Sequence, residues 1–481
     1  MGICEHMVSV LFWPLLSLVV LLLFKKQNWA QWVNLLLHLP WVFFLIELVK
    51  VTPSGAPFGL IENYGTLSLF KSSFALGADS LNVSLIALTI FLSFSLSFYF
   101  LGHSKITQGF LILFQLLNFG TIGSLLAADA FVFYVFWEFM LIPLFFLIGI
   151  WGSENRVYAA LKFFSMTLAG SLALLAGIFF IVTKTEVQSL EWAELSRNSE
   201  MLSLAAPWLG WAFLLAFLVK VPVWPLHTWL PDAHTEAPTG VSVMLAGILL
   251  KLGVYGMLRW VLQVFPALYW NSTDWLFVAS VIGIILGSYG ALRQTDIKRM
   301  IAYSSVAHLG FVVLGATSSN ATGQSGAFFQ NFAHGLSTGL LFLSFGMIYD
   351  RTHSRKLAEY GGLATTNRFL AFTFVFASMA SVALPGLPGF VGEFLILSGT
   401  FLQKGWLVLM PLLGVVLGAM YTLQLVKGLV FGKVSPLVEA HPITLKWNEY
   451  ASIFPFLIGL ALLGLAPQFL LAWINGSIPV K

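Results

Sequence analysis

Long apolar stretches alternate with short polar connections along the whole chain. Each stretch has about the length of roughly 20 residues that an α-helix needs to cross a bilayer. The pattern predicts an all-α polytopic membrane protein, with 1–481 forming one membrane domain. The expected membrane-spanning helices, each with bounds good to several residues, are the fourteen segments 7–24, 30–50, 81–101, 109–127, 129–150, 162–183, 208–226, 240–262, 274–292, 298–317, 327–349, 369–402, 406–431 and 450–474.

Two predicted spans contain prolines that should break them. The span 369–402 is too long for one crossing and contains LPGLPG at Leu384–Gly389, and the span 208–226 contains KVPVWP at Lys220–Pro225. Proline removes a backbone donor and clashes with the preceding turn, so both helices should be discontinuous. Paired broken helices indicate two repeats with function at the breaks.

The repeats should be inverted because each holds an odd number of crossings. We expect the first repeat at 109–262, which contains spans four to eight, and the inverted second repeat at 274–431, which contains spans nine to thirteen. N-terminal spans within 1–108 precede them, and a C-terminal span at 450–474 follows. Spans seven and twelve are then the corresponding broken helices.

Composition supports a membrane protein. Hydrophobic residues make up 58% of the chain, charged residues only 9%, and the mean hydropathy is +0.89. An excess of Lys and Arg in a membrane protein mostly sets its orientation, so the formal charge of +4 predicts no nucleic-acid partner. Basic residues follow the first apolar stretch and do not precede it, which indicates a retained span instead of a signal peptide.

The single cysteine, Cys4, limits the redox chemistry of the chain. One thiol excludes an internal disulfide and an iron–sulfur cluster ligated within this chain. The sequence also contains neither a Walker loop nor a GxGxxG after a strand. We therefore expect no cofactor in this chain.

Basic residues divide unevenly between the two predicted sides. Leaving out two lysines inside spans, the loops after odd-numbered spans hold fifteen Lys and Arg, whereas the other side holds seven. Because loops rich in Lys and Arg stay in the cytoplasm, both termini should be periplasmic. The expected location is the bacterial inner (cytoplasmic) membrane.

Four ionisable residues lie inside apolar spans: Glu138, Lys220, Lys251 and Glu393. A charge at bilayer depth costs roughly 2.5–3.5 kcal/mol or more, so such residues usually mark an ion or proton pathway. Lys220 is the natural partner of Glu138, since opposite charges about 4 Å apart attract by about 4 kcal/mol at an effective dielectric near 20. A purely structural ion pair, or a carboxylate that satisfies backbone donors at a break, remains the alternative.

Three histidine-bearing segments are candidates for chemistry. His308 and His334 lie in spans ten and eleven, and imidazole can both donate and accept a proton near neutrality. A relay and simple packing are equally good interpretations for these two. The segment 227–236 has two histidines that do not match an established zinc spacing, so a structured cytoplasmic turn is preferred to a metal site.

Several long motifs carry a family resemblance over nearly the whole chain. They are WEFMLIPL at 137–144, GIWG at 149–152, HTWLPDAHTEAP at 227–238, DIKRMIAYSSV at 296–306, HGLSTG at 334–339 and GFVGEF at 389–394. With these motifs in this order the chain resembles the antiporter-like M subunits of proton-pumping NADH:quinone oxidoreductase, respiratory complex I. The resemblance implies fourteen helices in two inverted repeats, with electron carriers and quinone site in partner subunits.

The resemblance also implies a role for each buried group. It makes Glu138 and Lys220 the ion pair of an input half-channel, and Lys251 the central relay. His308 and His334 then form a bridge. Glu393 is the terminal group before the outer face, at a position where sibling subunits tend to carry lysine.

The expected function is proton translocation by a membrane-arm subunit of a redox-driven NADH:quinone oxidoreductase. The chain then counts as an enzyme only as a subunit of that translocase, with no redox chemistry of its own. Expected partners are the other membrane-arm subunits, including sibling antiporter-like subunits, the lipid bilayer and, indirectly, the electron-carrying peripheral subunits. The electron donor is bound by a different chain, so NADH, reduced ferredoxin and other donors all remain open.

A subunit of a multisubunit sodium/proton antiporter is the alternative function. A solute transporter that uses the same broken helices is a third. A sodium site requires several oxygen ligands around one locus, whereas the candidate groups are spread along the chain and mix lysine with histidine. Protons therefore fit the residues better.

Overall fold

The computed structural model describes residues 3–53, 55 and 57–474, and this part of the chain is mostly helical. The α-helices, in chain order, are α1 (Ile3–Leu22), α2 (Gln27–Val51), α3 (Ser80–Phe100), α4 (Gln108–Leu126), α5 (Ala130–Phe139), α6 (Leu141–Trp151), α7 (Arg156–Lys184), α8 (Trp192–Arg197), α9 (Ser199–Ala205), α10 (Trp208–Lys220), α11 (Trp229–Glu236), α12 (Thr239–Met244), α13 (Lys251–Gly256), α14 (Pro266–Asn271), α15 (Thr273–Leu292), α16 (Ile297–Ala316), α17 (Ala321–Thr352), α18 (Leu363–Thr366), α19 (Arg368–Ser381), α20 (Pro388–Lys404), α21 (Leu409–Val430), α22 (Pro436–Ala440), α23 (Trp447–Leu465) and α24 (Gln468–Ile474).

The membrane-spanning character predicted from the sequence is confirmed. Among the described residues, eleven helical stretches are long and apolar enough to cross a membrane, or twelve if the bent pair Ser199–Ala205 and Trp208–Lys220 forms one span. Predicted span one coincides with the shorter apolar helix His6–Leu22, and the first part of span twelve coincides with Arg368–Ser381. The rest of span twelve and span thirteen fall in one counted stretch, Pro388–Val430. The prediction of fourteen crossings thus depends on how broken and short helices are counted. The predicted terminal positions, Met1 and Lys481, lie outside the described residues, as does the side chain of Cys4.

The structure contains a β-hairpin that the sequence analysis did not predict. Strand β1 (Leu60–Leu67) pairs antiparallel with β2 (Ser72–Ala78), with Leu67 opposite Ser72 at the turn end. The strand β1 is mostly exposed, and its residues lack a clear apolar alternation, so the hydrophobic pattern does not indicate it.

The hairpin holds the start of α5, the helix that carries Glu138. The carboxylate of Asp129 accepts hydrogen bonds from the Ser72 hydroxyl at 2.9 Å and the Ser73 amide at 3.0 Å. The same carboxylate caps α5 by accepting from the amides of Phe131 and Val132. One buried side chain therefore satisfies free helix donors and ties α5 to β2.

The described residues divide into two compact units. The first contains residues up to Val221, Ile248–Asp274 and the residues from Ala472, and the second contains Pro222–Gly247 and Trp275–Leu471. In the second unit an apolar core is formed by Phe277, Val281, Ile284, Phe311, Leu314 and Ile396. This division follows packing and assigns no repeat boundary, so the repeats at 109–262 and 274–431 remain a prediction.

The first unit contains a fully buried ion pair between Arg259 and Asp79. The Asp79 carboxylate caps α3 as well, and the Arg259 guanidinium lies 4.1 Å from the ring centre of Phe58. Paired charges and their hydrogen bonds make this burial tolerable, because either group alone would be strongly destabilising. The sequence prediction counted Arg259 among the seven basic residues of the outer side and did not identify this pair.

The segment 227–236 lies in the second unit. Its first histidine, His227, precedes the short helix α11, and its second, His234, lies within it. Basic residues anchor it: Lys298 donates a 2.6 Å hydrogen bond to the Ala237 carbonyl, and Arg355 donates a 2.8 Å bond to that of Thr235. Cations at a helix C-terminus satisfy free carbonyls and interact favourably with the helix dipole. Lys298 is consequently buried, although the sequence prediction counted it among the fifteen basic residues of the cytoplasmic side.

The predicted orientation can be tested by chemical labelling at two exposed positions. In a Cys4→Ser background, cysteine replaces Lys433 in one variant and Glu200 in another, both exposed in the structure. A membrane-impermeant maleimide should label position 433 from the cytoplasmic side and position 200 from the periplasmic side, because the positive excess lies in loops after odd-numbered spans. Labelling of both from the same side would contradict the topology. Unmodified Cys4→Ser protein is the control.

Candidate functional site

Glu138 lies at a discontinuity between two helices in the first unit. Helix α5 ends at Phe139 and α6 begins at Leu141, so Glu138 is the penultimate residue of α5. The side chain is half-buried. Its carboxylate lies close to Ser171 on α7, while its Oε1 atom has no hydrogen-bond partner among the described residues.

Lys220 is the last residue of α10 and is buried, with 2% of its surface exposed. Its Nζ atom lies 5.2 Å from the ring centre of Trp137 and 5.7 Å from that of Phe163. No hydrogen bond reaches this Nζ atom from any residue that the structure describes. The charges of Lys220 and Glu138 interact electrostatically, but the predicted contact is not a hydrogen-bonded ion pair.

Aromatic rings therefore provide much of the environment of the Lys220 ammonium. A desolvated cation over an aromatic face gains about 2 kcal/mol. This gain is smaller than the cost of burying an isolated charge, so the ammonium also depends on the nearby carboxylate. A charge held in this way responds to a change in the charge of its neighbour.

The predicted break after Lys220 is confirmed. Helix α10 stops there, and the chain next becomes helical at Trp229. Gly253, one turn into α13, packs directly on this helix end: a Cβ atom there would lie 3.0 Å from the Val221 nitrogen and 3.1 Å from the Phe217 carbonyl oxygen. Glycine thus brings the helix of Lys251 close to the end of the Lys220 helix.

Lys251 opens α13 and is fully buried. Two π-helical segments, Leu245–Leu249 and Met257–Leu262, flank this helix. Segments of π-helix are rare overall, but those that occur are often found at functional sites, because they interrupt the regular hydrogen-bond ladder of the α-helix. The sequence identified the buried lysine but not this change of helix type.

The second predicted break is also confirmed and lies in the second unit. Helix α19 ends at Ser381 and α20 begins at Pro388, with Glu393 on the second turn of α20 and buried. The Oε1 atom of Glu393 lies 3.0 Å from Nδ1 of His308 and accepts a 3.2 Å hydrogen bond from the Gln330 amide. Its partners are side chains, which favours a role in a polar network over simple satisfaction of backbone donors.

His308 is the centre of this network. Its Nε2 atom lies 3.1 Å from the Ser381 hydroxyl and 3.2 Å from the Tyr421 hydroxyl. The ring of His334 lies 5.6 Å away between centres, tilted by 52°. Both nitrogens of His308 thus face groups that can exchange hydrogen bonds.

The six predicted residues form two groups, one in each unit. Glu138, Lys220 and Lys251 belong to the first unit, and His308, His334 and Glu393 belong to the second. Within the second group, hydrogen bonds connect a carboxylate, an imidazole and two hydroxyls. Each of these groups can accept and release a proton or a hydrogen bond, which is what a relay requires.

Six residues of the site were missed by sequence reasoning. Some carried a usable signal: Trp137 adjoins Glu138, and Gln330 precedes His334 by four residues on α17, which puts both on one helix face. The remaining four carried none, because only tertiary contacts bring them to the site. These are Phe163, Ser171, Ser381 and Tyr421.

The segment 227–236 places one of its histidines against an aromatic ring. The His234 ring stacks on Phe342, with centres 4.7 Å apart and planes 5° from parallel. Among the described residues, no group of three or more His, Cys, Asp and Glu side chains is arranged to hold a metal ion.

Comparison with known proteins gives consistent matches in sequence. The family "NADH:quinone oxidoreductase/Mrp antiporter, TM" matches residues 127–420. NADH-quinone oxidoreductase subunit M of Rickettsia felis is 38% identical over 474 residues, which cover 96% of this chain and 95% of that protein.

Comparison of structures gives matches of similar extent. A chain of respiratory complex I from Thermus thermophilus with bound NADH is 27% identical, has a TM-score of 0.88 and is matched over 98% of this chain and 97% of its own. A chain of the Mrp complex from a Dietzia species is 21% identical, has a TM-score of 0.86 and is matched over 99% of this chain and 97% of its own. The latter similarity is one of fold alone.

Proposed function

The chain belongs to the NADH:quinone oxidoreductase/Mrp antiporter family of membrane subunits, and from this membership we propose that it translocates protons as a membrane-arm subunit of a redox-driven NADH:quinone oxidoreductase. The observation that carries the proposal is the buried network of Glu393, His308, Ser381 and Tyr421. Burying ionisable groups such as these is costly in a membrane protein, and groups buried in this way usually mark a proton route.

The proton path has two parts. In the first unit, Glu138 sets the charge next to Lys220, so a change at the carboxylate changes how readily the buried ammonium keeps its proton. Lys251 receives the proton next. In the second unit, His334 and His308 carry it to Glu393, from which it leaves towards the outer face.

The chain is a multi-pass membrane protein and a subunit of an oxidoreductase complex. Its chemistry is the transfer of protons, while the electron carriers and the quinone belong to other subunits. Its partners are the remaining membrane-arm subunits, including its antiporter-like siblings. Its place is the inner membrane of a bacterium, with both termini in the periplasm.

The ion moved is the proton. The similarity to the Mrp complex chain is one of fold, and this fold is compatible with both a proton-pumping subunit and an antiporter subunit. Among the described residues, the polar groups bonded to His308 or Glu393 or lying near them include one carboxylate, one amide, two hydroxyls and a second imidazole, whereas a bound cation requires several oxygen ligands around one point. This network is suited to proton transfer.

Substitution of Lys251 tests this function. Both Lys251→Met and Lys251→Arg should lower proton pumping by roughly tenfold or more with the complex assembled, because methionine carries no proton and arginine does not release one. Pumping and NADH oxidation are measured together in inside-out vesicles in sodium-free buffer. Lys433→Met, at an exposed lysine, is the matched control.

The two variants separate the possible roles of Lys251. Normal pumping by the arginine variant would reduce Lys251 to a fixed positive charge. Pumping by the unmodified complex that requires added sodium would contradict the proton function and favour the antiporter alternative.

A further inference from the structure

A small cavity lies next to the His308 network in the second unit. It has about 10 Å³ of room for the centre of a water molecule, which is close to what one water requires. Five polar side chains, those of Ser288, His308, Ser381, Glu393 and Tyr421, line it together with Gly418, and apolar side chains such as Phe311 and Val415 complete the wall. A cavity with such a lining differs from an apolar packing defect, which would stay dry.

Ser288 gives independent evidence that this cavity binds a polar ligand. It lies on α15, its side chain is 1% exposed, and its hydroxyl has no hydrogen-bond partner among the described residues. A buried hydroxyl without a partner is destabilising, so native structures rarely leave one. A water molecule in the adjoining cavity would pair with it.

The two protonation states of His308 place different demands on the same hydroxyls. With Nδ1 protonated and facing Glu393, a neutral ring accepts a hydrogen bond at Nε2 from Ser381 or Tyr421. A protonated ring instead donates at Nε2, and the hydrogens of both hydroxyls must then find other acceptors. The hydroxyl of Ser304 lies within reach of Tyr421 and can accept one of these hydrogens. The cavity has room for a second acceptor.

We propose that this cavity binds one ordered water molecule, and that Tyr421 and this water reorient their hydrogen bonds as His308 gains and loses its proton. The inference rests on the proposed proton relay and adds a water site and a positioning residue to it. His308 gains a proton at Nε2, where an N–H bond forms as the bond to the proton's donor breaks. It loses the proton at Nδ1 to Oε1 of Glu393, where an N–H bond breaks as an O–H bond forms. The water and Tyr421 keep Nε2 paired in both states.

Gly418 allows the water to be displaced without removing any polar side chain. A Cβ atom at this position would lie 3.9 Å from the Tyr421 hydroxyl, which is ordinary contact, so Gly418→Ala fills the cavity without a clash. Alanine also has a higher helix propensity than glycine, so this substitution should not impair folding. Gly149→Ala, whose Cβ would lie 3.8 Å from that of Ala160, is the matched control.

We expect Gly418→Ala to lower proton pumping per electron by about three- to tenfold, the factor that corresponds to one lost hydrogen bond. Gly418→Ser should restore part of the loss, because its hydroxyl can replace the water. In the unmodified complex, infrared difference spectra recorded in H₂¹⁶O and H₂¹⁸O should contain a band from an internal water that Gly418→Ala removes. Equal losses in the alanine and serine variants would reduce the effect to packing and overturn the water site.

Tyr421→Phe tests the positioning residue with an unchanged ring. Pumping should fall roughly tenfold, and the water band should shift because its tyrosine partner is gone. Tyr360→Phe is the control: this buried tyrosine donates a 2.6 Å hydrogen bond to the Ser354 carbonyl outside the spans. Burial raises the pKa of Tyr360 to about 12, so its hydroxyl stays neutral in the assay.

Parallel measurements on His308→Ala separate the two levels of the argument. If His308→Ala stops pumping while Tyr421→Phe and Gly418→Ala pump normally, the water site is wrong and the relay stands. If His308→Ala also pumps normally, the proposed relay itself is wrong.

Discussion

Replacement of Glu138 by glutamine should stop most proton pumping while the complex remains assembled. Glutamine keeps the size of the side chain and can still lie close to Ser171, but it carries no negative charge. Lys220 would then lie between Trp137 and Phe163 without the carboxylate that the ammonium depends on. We expect a decrease of roughly a hundredfold, within the range for loss of an acid–base group.

Glu138→Asp should retain part of the pumping, because the charge survives at a slightly greater distance. Proton uptake and NADH oxidation are recorded in the same vesicles, so that a loss of coupling is distinguished from a loss of electron transfer. Glu47→Gln is the matched control, since Glu47 also forms a pair with a lysine, Lys50, at 2.7 Å in a membrane-spanning helix. Near-normal pumping by Glu138→Gln would make Glu138 a structural residue.

Replacement of Glu393 by alanine should have an effect of similar size. The variant removes the carboxylate that, among the described residues, is bonded to His308 at Nδ1, so protons that reach the histidine lose their proposed acceptor there. Pumping should fall by roughly a hundredfold. Gln330 and His308 would also lose a partner, so assembly must be checked by the yield of intact complex.

Glu393→Gln separates proton transfer from hydrogen bonding. The amide can still bond to His308, but it does not take up a proton at physiological pH, so a proton-accepting role predicts a loss close to that of alanine. Glu393→Lys, which imitates the sibling subunits, should retain some pumping. Glu439→Gln, at an exposed carboxylate on α22, is the control. Full pumping by the alanine variant would place the exit at another residue.

The proposed relay needs an input of energy, because moving one charge through a potential of 100 mV costs about 2.3 kcal/mol. We infer that a change of charge or conformation in the partner subunits of the proposed complex supplies it. The site around Glu138 and Lys220 is a suitable point of input, because an ammonium held by aromatic rings and a single carboxylate is sensitive to small changes in either.

The membrane-spanning helices, the two helix breaks and the four ionisable residues inside apolar spans could be read from the sequence alone. All of them depend on local features: the length of apolar runs, the prolines at Leu384–Gly389 and Lys220–Pro225, and a charge such as Lys251 within such a run. A bilayer strengthens these signals, because each unpaired backbone group or charge is costly in lipid.

Only the tertiary structure decided which side chains meet. His308 contacts Glu393 across 85 positions of sequence and Tyr421 across 113, and no spacing rule connects residues so far apart. The same holds for Phe163 beside Lys220 and for the anchoring of α5 by the hairpin through Ser72. Local sequence determines where a helix starts, ends or breaks, whereas its neighbours are selected by packing over the whole chain, and the environment of each buried charge follows from that packing.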